Sequence, residues 1–338
     1  VDAINDGNVL PFRIDYVNTV RAKDDVRAAQ VEGILTEQAL LAPERIRAVT
    51  SYIIDHFDQK TKRTGASFTF QKLVNIAEVV QNSSVREEKV KTRMTGFNSI
   101  FAVASIDAAK RYYAELRRRA AEHPETALRV ALIYSYAANE EEGGVLGEEN
   151  SDDTEGLEQS SREFLADAIE DYNRTFGTAF DTSAEKFPNY YKDLSLRMKN
   201  REIDILIVVN MFLTGFDATT LNTLWVDKNL RMHGLIQAFS RTNRILNAVK
   251  TFGNIVCFRN LQEETDAAIA LFGDKEAGGT VLLKSYRDYY DGYADTDGRE
   301  EPGYAARIAE LVQKFPLEQP IVGESAQKEF ITAFGAIL

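Results

Sequence analysis

Gln237, Arg241 and Arg244 stand at offsets i, i+4 and i+7, which on a helix would carry all three polar heads to one face. Two guanidiniums a turn apart are badly placed in an apolar core and well placed to grip a polyphosphate. A buried-looking strand, Ile203–Val209, comes before them and leads into the turn Thr214-Gly215-Phe216-Asp217. Gly215 would let backbone approach a ligand closely, and Asp217 would accept from a ribose hydroxyl. The plainer readings are surface ion pairing for the arginines and turn or helix-cap roles for Asp217 and Thr214.

Positioning such groups takes a scaffold, and from Phe97 onward short apolar runs alternate with helical stretches, as a parallel doubly wound sheet requires. The strands expected are 98–104, 129–134, 203–209, 224–226 and 254–258. They are apolar on both faces, which suits strands covered by helices on both sides. Helices are expected at 106–122, 161–174 (opened by a capping box, Ser160 to Glu163), 190–200, 233–247 and 261–272. Upstream, 45–57 forms an amphipathic helix through Ile46, Val49, Ile53 and Phe57. Three regions follow: a lead-in with linker helices over 1–96, an α/β domain over 97–275, and the start of a helical region over 276–338. Val1 opens the chain and an uncapped amphipathic segment ends it, so both ends read as cut from something longer.

The net charge of −12 speaks against nucleic acid until it is divided along the chain. Residues 139–158 hold nine acids and no base, and without them the remainder carries only −3. That segment has glycine punctuation and no period, so a loop is expected there. Residues 84–119 hold nine bases against four acids. Phosphate affinity follows local surplus, although charge alone favours a solvated face. Cys257 is the only cysteine and lies in an apolar run, a reduced core thiol that fits a cytoplasmic location. His56, His123 and His233 are far apart and lack ligand spacing, so no metal site is expected. No apolar run approaches the ~20 residues of a membrane span, and no signal peptide pattern appears.

Motor ATPases hold ATP between two lobes, one with a Walker A loop and an acidic box, the other supplying arginine across the gap. No G-x-x-x-x-G-K-[ST] run occurs here, nor an Asp-Glu box after a strand. The chain has the arginines without a primary ATP site.

At this point a resemblance becomes specific. MFLTGFDATTLNTLWVDKNL resembles the motif V region, and HGLIQAFSRTNRI the motif VI region, of the motor (R) subunit of type I restriction enzymes, a superfamily 2 translocase. FNSIFAVASIDAAKRYYAEL resembles that family's motif IV strand and helix, and looser similarity runs through RIRAVTSYIIDHFDQKT and FGDKEA. The resemblance implies a RecA-like second motor lobe followed by the start of a helical region. It places Gln237, Arg241 and Arg244 on the motif VI glutamine and arginines, and Gly215 and Asp217 on the motif V glycine and aspartate. Arg241 and Arg244 would be catalytic, while Gln237, Gly215 and Asp217 would bind the nucleotide. Thr214, with Ser105 and Lys110 of the motif IV region, would face the DNA backbone.

It further implies ATP and Mg2+ held mainly by a preceding motor lobe, with double-stranded DNA as substrate. The partners implied are that lobe and a nuclease domain of the same chain, with methyltransferase and specificity subunits. Alone, the segment lacks Walker A and nuclease motifs and would be inactive. The D-x-K and E-x-K triplets (Asp58/Lys60, Glu87/Lys89) have no strand-borne partner and read as surface charge. Residues 64–96 match the family least, and their bases inherit no role. Two rivals stand beside this reading. One is a non-catalytic module that binds DNA or methyltransferase. The other is a different superfamily 2 enzyme, such as a remodeller or RNA helicase, against which the QAFSRTNR run and the TGFDA turn count.

Overall fold

The computed structural model describes residues 8–17, 19, 39–134, 154–272, 282–283, 286–294, 300–317, 319–335 and 337. Two compact units divide the chain, residues 1–281 and 282–338.

The first unit is built on six parallel strands: β1 (Phe12–Tyr16), β4 (Asn98–Val103), β5 (Val130–Ile133), β6 (Ile205–Val208), β7 (Leu221–Asp227) and β8 (Gly253–Cys257). They lie in the order β5-β6-β4-β7-β8-β1. Strands β4, β6, β7 and β8 are buried along their whole length, as expected for apolar runs covered on both sides. The parallel α/β architecture read from the sequence is therefore the observed one. The antiparallel ribbon of β2 (Phe68–Leu73) and β3 (Lys89–Met94) lies outside the sheet.

Helix α1 (Pro43–Lys60) begins with proline at its first position, where a missing N–H costs nothing. It buries Ile46, Val49, Ile53 and Phe57, each worth about 1.5–3 kcal/mol on leaving water. It packs on α3 (Ile106–Glu122), whose first turn is capped by the Ser105 hydroxyl accepting from the Ala108 N–H at 3.2 Å. The short α2 (Ile76–Gln81) packs on α5 (Phe187–Lys199), and α6 (Met232–Phe239) on α7 (Gln262–Phe272). Strands β4, β7 and β8 each carry a buried asparagine near their start. Asn98 donates to the Met198 carbonyl, Asn222 to that of Phe252 and Asn254 to that of Lys60, each at 2.7 Å. These bonds fasten the C-terminal ends of α5 and α1 and the turn before β8 to the N-terminal edge of the sheet.

Several elements differ from their sequence expectation. Residues upstream of 97 supply β1, α1 and the ribbon to this unit, with β1 joining the sheet beside β8. Helix α4 (Thr154–Phe176) starts before the capping box, which sits inside it. Most of the acidic segment, residues 139–153, lies outside the described residues, while 154–158 are helical. Helix α6 stops at Phe239 instead of continuing to Asn247. There the Ser240 hydroxyl turns back to the Ile236 carbonyl at 2.6 Å and that of Thr242 to Phe239 at 2.9 Å, while the Asn243 carbonyl accepts from the Leu10 N–H. Such local bonds offer the backbone an alternative to the helical ladder.

The second unit holds α8 (Tyr286–Asp291), an antiparallel pair β9 (Gly292–Ala294) and β10 (Glu300–Pro302), then α9 (Tyr304–Lys314) and α10 (Glu324–Gly335). Phe315 and Phe330 meet edge to face at 5.4 Å between α9 and α10. The paired strands were not expected from a sequence that reads as helical. Among the described residues, no helix is long and apolar enough to cross a membrane. Cys257 is buried and unpaired, and burial pushes its thiol well above the usual range.

Candidate functional site

Strands β6 and β7 are parallel and lie on either side of β4, so residues 209–220 must carry the chain from the C-terminal end of one to the N-terminal start of the other. Two lysines pin this crossing. At its start, Lys228 donates to the Val209 carbonyl (3.1 Å) and to Asn210 Oδ1 (2.6 Å). At its finish, Lys250 donates to the carbonyls of Thr219 (2.9 Å) and Leu221 (2.7 Å). Lys250 is 1% exposed, and burial pushes its ammonium down to about 7, with the Asp217 charge opposing. Between the pins, Phe212 and Phe216 are buried against each other at 4.7 Å, and Tyr191 of α5 packs on Phe212. Thr214, Gly215 and Asp217 are exposed. Gly215 has φ +70°, a backbone state that favours glycine, and open space where a Cβ would stand.

The arginines meet this loop from the turn after α6. Arg241 Nη1 donates to the Phe216 carbonyl at 2.6 Å and its Nε to the Gln237 carbonyl at 3.1 Å. Arg244 Nε lies 3.3 Å from Asp217 Oδ1, an ion pair without hydrogen-bond alignment, since that buried nitrogen makes no hydrogen bond. Burial, with Arg244 beside it, lowers the pKa of Arg241. The Gln237 side chain is exposed on α6. The three residues are therefore assembled by a helix end, a turn and the crossing loop, and not by one helical face as their spacing suggested. Each guanidinium keeps most of its N–H groups outside the bonds just described, enough to receive phosphate oxygens.

Ser105 and Lys110 lie elsewhere, beyond the C-terminal end of β4. Lys110 donates to Ser160 Oγ at 3.2 Å and sits 5.8 Å over the Phe164 ring. The candidate residues thus fall into two groups at opposite ends of the strands, with the 209–220 crossing running between them. Ser105 and Lys110 hold one end, and Asp217, Arg241 and Arg244 the other. Thr214 lies on the crossing itself.

Two polar clusters had no signal in motif spacing. At the C-terminal end of β7, Arg45 holds Asp227 with both terminal nitrogens, at 2.8 and 2.7 Å, while Tyr112 donates to the same carboxylate at 2.6 Å and Arg259 at 3.1 Å. At the opposite edge, Asp204 is flanked by Arg63, hydrogen-bonded to it, and by Arg129 at 3.3 Å. Arg201 stands nearby in the left-handed region (φ 56°), its pKa lowered by burial and by Arg63. The Nε groups of Arg63 and Arg201 are buried without acceptors.

Residues 95–260 match the family described as type I restriction enzyme subunit R domain 3. The chain is 37% identical over 342 residues to the type I restriction enzyme SauCOLORF180P endonuclease subunit of Staphylococcus aureus (strain COL), covering 98% of this chain and 31% of that one. It is also 37% identical over 339 residues to the SsaAORF53P endonuclease subunit of Staphylococcus saprophyticus, with the same coverage. Among solved structures, a fragment of an HsdR subunit of a type I restriction enzyme from Vibrio vulnificus YJ016 aligns with a TM-score of 0.40 at 14% identity, over 88% of this chain and 39% of that one. The chain spans 31% of the length of the staphylococcal relatives.

Proposed function

Since this chain belongs to the R (endonuclease) subunit family of type I restriction enzymes, we propose that its residues 97–275 are the second RecA-like lobe of an ATP-driven double-stranded DNA translocase. In this reading 1–96 joins the lobe to a preceding motor lobe, and 276–338 begins a helical region. One observation carries it most directly. The 209–220 crossing delivers Asp217 and the Phe216 carbonyl to Arg244 and Arg241, so motif V and motif VI residues form one cluster at one sheet edge.

ATP bound on the preceding lobe presents its γ-phosphate to that edge when the lobes close. Arg241 and Arg244 exchange their local acceptors for phosphate oxygens and stabilise the charge that builds in the transition state. Arginine fingers contribute roughly 10³–10⁵ in rate. Asp217 and Gln237 read the nucleotide, and exposed Gly215 gives the ligand room. Thr214, Ser105 and Lys110 meet phosphates of one DNA strand, and the crossing ties that contact to the nucleotide end. Among the described residues no group of three His, Cys, Asp or Glu is placed to hold a metal ion. In this reading Mg2+ comes with the ATP on the preceding motor lobe, and no step is assigned to it here.

The whole enzyme, with nuclease domain and methyltransferase and specificity subunits, would cut DNA, and this segment alone would not. The second reading, a non-catalytic DNA- or methyltransferase-binding module, is favoured by one fact: both arginines already have partners within the lobe. DNA-stimulated ATP hydrolysis by the full-length subunit with its methyltransferase partner separates the two. Arg241→Ala with Arg244→Ala is expected to abolish hydrolysis while DNA binding persists. Unchanged hydrolysis makes these arginines structural and leaves the binding module.

A further inference from the structure

The ribbon of β2 and β3 presents two unlike faces. Register pairs Thr69 with Arg93, Gln71 with Lys91 and Leu73 with Lys89, so these residues share one side. All but Leu73 are exposed. The other side carries Phe68, Phe70, Lys72, Val90, Thr92 and Met94, with Phe68 stacked on Phe97 at 5.2 Å and Lys72 paired with Glu202 at 3.1 Å. The first face, Lys89, Lys91 and Arg93 beside Thr69 and Gln71, is exposed except at Leu73, which packs with Ile76 and Val80.

Three observations identify what would cover it. First, the face is a rack of cations: Lys89 pairs with Glu87 at 2.6 Å and Arg93 with Ser67 Oγ at 2.8 Å, while Lys91 has no partner among the described residues. Second, the exposed neighbours are hydroxyl and amide side chains. Lys, Arg, Thr and Gln are the groups that meet phosphate and sugar, whereas a protein interface needs an aromatic or apolar core. Third, the cations alternate along β3 at about 6.8 Å, twice the strand rise of ~3.4 Å. Phosphates of one DNA strand advance by about 3.4 Å along the axis, so cations at this spacing would meet alternate phosphates, and a two-stranded ribbon fits the major groove.

The ribbon is held as a rigid unit. Leu73 exchanges two hydrogen bonds with the Asn200 amide at 2.7 and 2.8 Å. Asn75 closes the β2–β3 connection onto Arg86 and Glu88, both at 2.9 Å. At the base of the ribbon, Gly96 packs on Arg63, where a Cβ would stand 2.7 Å from the Arg63 Cα. Arg63 leads to the Asp204 cluster, whose guanidiniums outnumber its carboxylates and whose buried Nε donors lack acceptors.

We propose that the Lys89–Lys91–Arg93 face of this ribbon is a contact for the phosphodiester backbone of duplex DNA, separate from the Ser105 and Lys110 contact at the other end of the strands. The proposal rests on the duplex-DNA part of the function above and not on its nucleotide site.

The test is equilibrium binding of a labelled duplex by the full-length protein across a salt series, wild type against Lys89→Gln, Lys91→Gln and Arg93→Gln combined. The slope of log K against log salt is expected to shrink by about 0.9 for each phosphate no longer neutralised, close to 2.7 for all three. Thermal unfolding of the variant should match the wild type, because the three side chains are exposed. ATP hydrolysis without DNA should also be unchanged. An unaltered salt slope overturns the proposal. So does intact DNA binding with failed assembly onto the protein subunits, which would make the face a protein interface. If the ribbon variant reduces the slope while Arg241→Ala keeps DNA-stimulated hydrolysis, the ribbon proposal stands and the motor-lobe reading falls.

Discussion

Arg45 of α1 and Asp227 at the end of β7 form a two-pronged ion pair with side chains 5% and 2% exposed. Burial alone would raise the Asp227 pKa. The Arg45 hydrogen bonds and charge, with Arg259 and Tyr112, outweigh it and hold the carboxylate below its ordinary value. A group depressed in this way contributes stability above its unfolded pKa, and that stability is lost as pH falls through the folded value. Arg45→Met strands a buried carboxylate and is expected to destabilise the first unit by about 3–5 kcal/mol. Urea unfolding followed against pH checks both effects. Without Arg45 the folded-state pKa of Asp227 should rise, so the acid-side loss of stability that this carboxylate causes should shrink or reverse in the variant. An acid limb parallel to the wild type's would show that Arg45 does not control Asp227.

Lys250 gives the opposite pH signature. Its folded pKa, pushed down to about 7 by burial, lies below the ordinary lysine value of 10.5. Between those limits the unfolded chain binds more protons, so this lysine makes stability rise with pH at up to about 1.4 kcal/mol per unit. Lys250→Met should flatten that rise. It should also free the end of the crossing, because the Thr219 and Leu221 carbonyls lose their donor. A Lys250→Met curve that stays parallel to the wild type between pH 7 and 10 would count against the buried ammonium.

Gly253 opens β8 where Thr242 crowds it. An added Cβ would lie 2.2 Å from Thr242 Oγ1 and 3.1 Å from its carbonyl carbon. Gly253→Ala is expected to cost about 1–3 kcal/mol, the usual penalty for overpacking, and to displace the turn that carries Arg241 and Arg244. Adding Thr242→Ala removes the nearest atom and should recover part of the thermal stability. No recovery in the double variant would place the strain elsewhere.

Asp217 and Arg244 have side chains 60% and 42% exposed, so their ion pair adds little to stability. Asp217→Asn should leave the melting temperature within a degree or two of wild type. If Asp217 contacts the nucleotide as proposed, the KM for ATP of the full-length enzyme should rise several-fold with a smaller change in kcat. A wild-type KM would leave Asp217 only its turn.

The strands from Asn98 onward were legible because runs such as IFAV and ILIV are apolar on both faces, which only a doubly covered sheet explains. The sequence FRIDY of β1 alternates like a half-exposed strand, and nothing local points to β8, its partner far along the chain. KVKTRM of β3 is too polar to announce itself, and none of its residues is buried. The Arg241–Arg244 cluster was found by spacing, but the helix invoked to build it ends at Phe239. Hydroxyl back-bonding by Ser240 and Thr242 is a matter of geometry that periodicity does not register. Lys228 and Lys250 gave no motif signal at all, because a lysine pinning carbonyls looks in sequence like any surface lysine.

The pairing of Phe12 with Gly253 bears on how this sheet comes into being. During synthesis the first strand of the sheet leaves the ribosome some 240 residues ahead of the strand it lies against. At 5–20 residues per second, it waits roughly ten to fifty seconds with an unpaired edge. Closing so long a loop is slow, and exposed strand edges invite wrong partners. β1 is therefore the strand most exposed to chaperones and to mispairing in the nascent chain, and it finds its partner β8 only after the turn carrying Arg241 and Arg244 has been made.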